Sequence, residues 1–112
     1  MKKLFVSQPM RGRSDEEILA ERERLVRKVE AALDEPLEVL PTLFDGSGFS
    51  EKNKALQYLA ASLRLLAEAD VAVFAYGWEM ARGCRIENAA CIDYGITVVE
   101  VCSEGIDDEK QP

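Results

Sequence analysis

The segment VAVFAYGWEMARGCRIENAACIDYGITVVEV, residues 71–101, contains the pattern that decides the fold. It comprises in order an apolar run, a loop, a helical run and a second apolar run, at 71–75, 76–82, 83–94 and 96–101. Short apolar runs are typical of strands buried on both faces, and Gly95 suits the position just after a helix. The segment therefore predicts a strand–helix–strand unit of a parallel sheet.

The rest of the chain repeats this alternation. Apolar runs at 3–7 and 37–40 predict two more strands, and 54–69 has the three–four spacing of an amphipathic helix. The pair Ser14 and Glu17 has the spacing of a capping box, which predicts the start of a helix that runs to about Leu33.

The resulting order, βαβαβαβ, predicts a three-layer α/β fold in which helices cover both faces of a parallel sheet. We expect one domain over residues 1–102 and a polar, frayed tail over 103–112. Ligands of such sheets bind beyond the carboxyl ends of the strands, where the loops at 8–13, 41–53 and 76–82 should meet. The loop at 41–53 is long enough to be a mobile lid.

Composition narrows the function. The chain has 112 residues, 47% of them hydrophobic, and a formal net charge of −7. This acidic balance argues against nucleic-acid and membrane partners, and no apolar run approaches the roughly 20 residues of a membrane span. We therefore expect a cytoplasmic protein.

The absence of histidine excludes several classes of catalyst. With no histidine and three cysteines, the chain lacks Ser-His-Asp and Cys-His hydrolase sites and most zinc sites. Cys84 and Cys91 would lie about 10 Å apart along one helix, too far for a disulfide, so free thiols are expected. We expect no metal and no cofactor, which leaves carboxylates, Tyr, Cys, Lys and backbone dipoles for any catalysis.

Glu87 lies within the predicted helix 83–94, among small residues, and two interpretations are open. In the first, the carboxylate only stabilises the positive end of the helix, by roughly 0.3–1 kcal/mol. In the second, Gly83, Ala89 and Ala90 leave room for a ligand, and Glu87 is a nucleophile that attacks the sugar C1 of a nucleoside or similar N-glycoside.

The loop SQPMRG, residues 7–12, also has two interpretations. It is either an ordinary strand-to-helix connection, in which Pro9 fixes the turn and Gly12 relieves strain, or a cradle for phosphate or sugar. In a cradle, backbone amides before a helix attract an anion, and Arg11 or Arg13 adds a guanidinium. The motif matches neither the Walker loop nor the dinucleotide-binding loop.

Three further side chains have alternatives of the same kind. Trp78 either packs over the end of the sheet or offers a stacking surface to a nucleobase. Cys84, at a helix start, either has a lowered thiol pKa or, the favoured interpretation, is a small buried residue. Tyr94 is predicted to pack in the core with its polar tip exposed.

Together these motifs resemble the nucleoside 2-deoxyribosyltransferase superfamily, especially its small bacterial and phage members. The resemblance is carried by the Pro-Met-x-Gly loop after the first strand, the Ala-Asp pair before an apolar strand, and the pattern W-E-x-x-x-G-C-x-x-E-x-x-x-A/C-x-x-x-G. It covers about residues 3–101, is strongest over 69–96 and is moderate over 4–12.

This resemblance implies a flavodoxin-like or Rossmann-like sheet and a covalent glycosyl-glutamate. The implied activity is deoxyribosyl transfer between bases, or hydrolysis of a nucleoside or its 5′-monophosphate. The family nucleophile matches Glu87, and the glycine that begins the third helix matches Gly83. The ligand contacts of the first loop match Ser7, Gln8, Pro9, Met10, Arg11 and Gly12, and we add Trp78 and Cys84 as candidate contacts. The resemblance also implies a homo-oligomer, a dimer or larger.

The sequence departs from the family at two positions. Ala81 stands where the better-characterised transferases carry an Asp two residues before the helix glycine, and Gln8 stands where relatives often have Gly. The lost acid would help bind or protonate the ligand. A second hypothesis is therefore a module that binds a nucleotide or ADP-ribose-like ligand without cleaving it, and a third is a structural oligomer with a decayed site.

Overall fold

A computed structural model describes residues 1–43, 46–50 and 52–101. The described residues form four strands, three α-helices and two single 3₁₀ turns. In chain order these are β1 (Lys2–Ser7), α1 (Asp15–Leu33), β2 (Leu37–Val39), a turn (Gly46–Gly48), α2 (Lys54–Leu66), β3 (Val71–Phe74), a turn (Trp78–Met80), α3 (Arg82–Tyr94) and β4 (Thr97–Glu100). The expected frayed tail at 103–112 lies outside the described residues.

The four strands form one parallel sheet in the order β2-β1-β3-β4. β1 lies between β2 and β3, with Leu4 opposite both Val39 and Val71, and β4 pairs with β3 from Thr97 onward. This is the strand order of the flavodoxin-like doubly wound fold over its first four strands, and the order reverses between β1 and β3. The predicted three-layer α/β architecture is confirmed.

Each face of the sheet has its own core. One core joins alternate residues of β1 and β3 to α1, through Leu25 and Val29. The other contains Phe5 and Phe74 and packs against the end of α2 and the inner face of α3, including Cys91. Because successive side chains of a strand point to opposite faces, continuous apolar runs are what a sheet covered on both sides requires.

Local signals set the helix ends much as expected. Ser14 Oγ accepts from the Glu17 N–H at 3.1 Å, and Glu17 Oε1 accepts from the Ser14 N–H at 2.8 Å, so the predicted capping box is formed. Gly95 has φ 77°, the left-handed conformation that favours glycine after a helix. α2 ends at Leu66, three residues earlier than expected, and the loop at 76–82 contains the short 3₁₀ turn.

The expectation for Tyr94 was wrong. Tyr94 is 86% exposed and does not pack in the core, because it lies in the last turn of α3, beyond the part of the helix that the sheet covers. The predicted helix α2 is formed, but only Leu66 in it is buried, and Leu56 is 58% exposed. Among the described residues, no helix is long and apolar enough to cross a membrane.

Candidate active site

An open cavity of about 1040 Å³ lies beyond the carboxyl ends of the strands. Its walls come from the loop after β1, the segment after β2, the start of α1, the inner side of α2 and the first turns of α3. All three loops predicted at this edge contribute, through residues such as Gln8, Thr42 and Ala81. The cavity therefore lies at the point where the strand order reverses, as expected for this class of sheet.

Glu87 lines this cavity although its side chain is only 7% exposed. The hydroxyl of Ser7, the last residue of β1, donates to Glu87 Oε1 at 2.7 Å. Ser62, on α2, has its hydroxyl close enough to the carboxyl group to act on its pKa. Burial raises the pKa of Glu87, and the two serine hydroxyls act in the opposite direction because they stabilise the charged form.

The helix-dipole interpretation of Glu87 does not fit this geometry. α3 begins at Arg82, so Glu87 is its sixth residue and lies in the second turn, beyond the first turn where the dipole effect is concentrated. Its hydrogen-bond donor is the side-chain hydroxyl of Ser7, on β1, rather than an amide of α3. The carboxylate is thus held from β1, in the wall of a cavity that α2 also lines.

Cys84 lies one turn before Glu87 and also lines the cavity. The pKa of Cys84 is raised to about 11, mainly because burial disfavours the thiolate. A hydrogen bond with Ser7 opposes this shift, and the nearby carboxylates of Glu87 and Glu21 add to it. Cys84 and Cys91 are both free and buried. The prediction of free thiols is confirmed for these two, and the alternative of a lowered pKa at Cys84 is wrong because burial outweighs the helix start.

The first loop is fastened to α1 by a buried acid, Glu21. Glu21 Oε1 accepts from Arg13 Nη1 at 2.7 Å and from Gln8 Nε2 at 2.9 Å. Arg13 Nη1 also donates to the Pro9 carbonyl oxygen at 2.8 Å, and Gln8 Nε2 to the Ile18 carbonyl oxygen at 3.0 Å. The Arg13 guanidinium therefore binds groups of the protein itself and is not a free ligand for an anion.

Six of the ten predicted site residues line the cavity. They are Gln8, Pro9, Met10, Gly83, Cys84 and Glu87. Ser7 lies behind them, 2% exposed, and bonds to Glu87.

The other three predicted contacts lie elsewhere. Arg11 and Gly12 are exposed and are not among the lining residues. Gly12 has φ 76°, so the interpretation in which it relieves backbone strain fits its conformation. Trp78 packs on Phe74, with ring centroids 5.5 Å apart, and joins the core on the α3 side of the sheet. The packing interpretation of Trp78 is the one that its position supports.

The space expected beside Glu87 comes from one glycine and not from the two alanines. A Cβ built at Gly83 would meet nothing within 4 Å, and Gly83 lines the cavity. Ala89 is exposed on another side of α3, and Ala90, one turn after Glu87, packs against the core, so neither opens space into the cavity. Gly83, four positions before Glu87, shares its face of the helix.

Sequence reasoning missed Glu21 and Ser62. Glu21 had a visible signal, because it lies between Ile18 and Leu25 on the stripe that faces the sheet, where an acid must find a partner. Ser62 had no visible signal in the sequence, because a serine on an amphipathic helix is usually solvated and Glu87 is 25 positions further along the chain. It becomes visible only when α2 and α3 are placed together.

No group of three or more metal-ligating side chains is clustered within the described parts of the chain. Comparisons with protein-family models, curated proteins and solved structures found no match. The class defined by the fold and the cavity is thus a small flavodoxin-like α/β protein with a buried carboxylate at its ligand-binding edge, and the family resemblance stays a prediction.

Proposed function

We propose that this protein cleaves or transfers the N-glycosidic bond of a nucleoside or nucleotide, through a covalent glycosyl ester on Glu87. The observation that carries the proposal is the placement of Glu87. It is a buried carboxylate in a cavity of ligand size, at the edge of the sheet where ligands of this fold class bind, and its donor is the Ser7 hydroxyl rather than a cation.

The reaction needs an ionised carboxylate aimed at the anomeric carbon. One Glu87 oxygen attacks C1 of the sugar, the C1–N bond breaks, and its electron pair leaves with the base nitrogen, which takes up a proton. Water then attacks C1 of the glycosyl ester, giving hydrolysis, or the nitrogen of a second base attacks, giving transfer. In either case the second step releases Glu87 as a carboxylate.

The two serines have defined parts in this scheme. The Ser7 hydroxyl fixes the orientation of the carboxyl group, and both hydroxyls favour its charged form against the cost of burial. Since burial still raises the pKa of Glu87, turnover should fall as the pH drops through that raised pKa, at a higher pH than for an ordinary glutamate.

The test is turnover of a substrate panel by wild type and Glu87→Gln. Deoxynucleosides, ribonucleosides and their 5′-monophosphates are incubated with the protein, with and without a second free base, and released or exchanged base is followed by chromatography. Exchange identifies a transferase and release alone a glycosidase. Glu87→Gln should abolish both, because an amide cannot form the ester.

A matched control comes from the same helix. Asp93→Asn removes an exposed carboxylate of α3 that is outside the cavity and should leave turnover unchanged. Glu87→Gln should keep its melting temperature within a few degrees of wild type, because the amide oxygen can accept the same hydroxyl bond from Ser7. An active Glu87→Gln variant would reject the mechanism.

A second candidate function is favoured by Ala81. This residue lines the cavity at the position where relatives in the resembled family carry an acid. Besides Glu87, the only carboxyl group among the lining residues that the structure describes is Asp15, on α1. The alternative is a module that binds a nucleotide or ADP-ribose-like ligand without cleaving it. Calorimetric binding with the ligand recovered intact would support this alternative over the enzyme.

We also propose that the chain forms a homo-oligomer, with exposed apolar side chains of α3 and of the turn before it at the contact. Met80, Ile92 and Tyr94 are 87%, 69% and 86% exposed. Burial of such side chains against a second copy would stabilise the assembly. Sedimentation of wild type against an Ile92→Lys variant tests this, and an unchanged monomer in both would reject it.

A further inference from the structure

The inner side of α2 gives the cavity an uncharged wall. Its contributions are Ala55, Leu56, Tyr58, Leu59 and Ser62, after Asn53 at the N-cap. The charged lining residues, Asp15, Arg82 and Glu87, all come from α1 and α3. The cavity therefore has a charged side and an apolar side, and α2 provides the apolar side.

Ser62 fixes the position of this wall relative to Glu87. Because Ser62 and Glu87 line the same cavity and the Ser62 hydroxyl acts on the pKa of Glu87, this point of α2 lies near the proposed nucleophile. Tyr58 is four residues earlier and so lies on the same face of α2, about 6 Å further along the axis. Tyr58 is therefore one helical turn from Ser62, and both line the same cavity as Glu87.

Tyr58 is available to a ligand and is held in place. It is 40% exposed while lining the cavity, and its ring meets Phe49 edge-on, with centroids 4.9 Å apart and planes at 83°. Its neighbour Leu56 is 58% exposed, and the only buried residue of α2 is Leu66 at its far end. The first half of α2 thus presents apolar surface that residues 1–43, 46–50 and 52–101 leave exposed.

We propose that Tyr58, with Leu56 and Leu59, is the subsite for the planar leaving base of the ligand. This inference rests on the proposed attack by Glu87 at the anomeric carbon. An attacking oxygen lies about 3–3.5 Å from the carbon that it attacks. The leaving base is bonded to that carbon on the side away from the nucleophile.

Position and chemistry agree on this assignment. A base that begins just beyond a carbon about 3 Å from Glu87 extends into the cavity, and Tyr58 offers an aromatic ring on the α2 wall of that cavity. A flat, uncharged, aromatic group gains most from stacking on an aromatic ring flanked by leucines. The sugar and any phosphate would then lie toward the charged side, near Arg82.

The test measures binding without turnover, in the Glu87→Gln background. The probes are a nucleoside from the panel, its free base and ribose 5-phosphate, and affinities are measured by calorimetry. Tyr58→Leu should weaken nucleoside and free-base binding about 10-fold or more, as expected for loss of a stacked base, and should leave ribose 5-phosphate unchanged. Tyr58→Phe should keep near wild-type affinity, because stacking does not need the hydroxyl.

Tyr76→Leu is the matched control, since Tyr76 is 47% exposed but does not line the cavity. Equal affinity in Tyr58→Leu and its parent, or an equal loss for ribose 5-phosphate, would overturn the subsite. So would a Tyr58→Leu protein whose main change is its oligomeric state, because α2 would then face a second copy of the chain.

The outcomes separate the subsite from the reaction. Turnover by wild type with no effect of Tyr58→Leu on affinity rejects the subsite alone. Base-selective binding that depends on Tyr58, with no turnover of any panel member, supports the subsite and rejects the N-glycosidic reaction. Failure of every base-bearing probe to bind rejects both.

Discussion

Ala81→Asp should stabilise the protein, because the N-terminus of α3 lacks a side-chain cap. Ala81 is the N-cap residue, and no side chain accepts from the first turn. The first intrahelical bond joins the Arg85 N–H to the Ala81 carbonyl oxygen at 3.0 Å, so the N–H groups before Arg85 have no acceptor within the helix. Ala81 already has the extended backbone, φ −108° and ψ 123°, that a capping residue uses.

The magnitude follows from the cap and from the dipole. Replacing a good N-cap by Ala typically costs about 1 kcal/mol, so Ala81→Asp should gain about that much. The carboxylate adds about 0.3–1 kcal/mol from its position at the positive end of α3, whose first turn has no acidic residue. At about 4 °C per kcal/mol for a domain of this size, the melting temperature should rise by several degrees.

Repulsion from Glu87 should not cancel this gain. The two positions are six residues apart, or about 9 Å along the helix axis, and the Debye length at 0.1 M salt is about 10 Å. The repulsion is therefore partly screened, whereas the capping bond is local. The new charge should nevertheless raise the pKa of Glu87 further and shift the acid limb of any pH–activity profile to higher pH.

Ala81→Asn separates the cap from the acid. Asn caps about as well as Asp but has no charge and cannot donate a carboxyl proton. Thermal unfolding followed by circular dichroism should therefore show stabilisation in both variants, while turnover should rise only in Ala81→Asp if an acid at this position protonates the base. Unchanged or lowered melting temperatures in both variants would refute the capping argument.

Three more expectations follow from the contacts around Glu87. Gly83→Ala should stabilise the fold by roughly 0.5–1 kcal/mol and so raise the melting temperature slightly, because a Cβ there meets no protein atom within 4 Å. The same variant should weaken ligand binding if the ligand approaches this turn. Unchanged affinity in calorimetry would contradict the binding prediction. Ser62→Ala removes a hydroxyl that favours the charged carboxylate, so the acid limb of kcat/KM should move to higher pH, and an unmoved profile would show that Ser62 does not act on Glu87. Burial raises the pKa of Glu87 in the folded state. The stability that protonated Glu87 contributes is therefore fully present below the pKa of the unfolded chain and is lost as the pH rises through the pKa of the folded protein. Denaturant unfolding at several pH values should show a weaker pH dependence of stability in Glu87→Gln.

The architecture could be predicted because its signals are local. Short continuous apolar runs are typical of strands in a sheet covered on both faces, and the Ser14–Glu17 box and Gly95 define a helix start and a helix end without tertiary contacts. The position of the cavity followed from the parallel order alone, because loops at the carboxyl ends of parallel strands meet at one edge.

The composition of the cavity wall could not be predicted in the same way. α2 follows the spacing of an amphipathic helix, but an apolar face does not reveal whether it meets the sheet or a cavity, and only its last turn meets the core. Trp78 is a similar case, since a loop aromatic can pack inward or face a ligand, and here Phe74 provides the inward partner. Tyr58 was overlooked because the helix pattern assigned no function to it.

The surroundings of Glu87 are the strongest reason to consider it a functional residue. A buried carboxylate normally has a cation beside it, and none of the ion pairs among the described residues includes Glu87. Glu21 shows that this chain can pair a buried acid, with Arg13 at 2.7 Å. At Glu87 the Ser7 hydroxyl replaces the cation, which orients the carboxylate without neutralising it. Folding alone would be served as well or better by glutamine at this position, whereas a nucleophile needs a charged oxygen that is fixed in place and free to react.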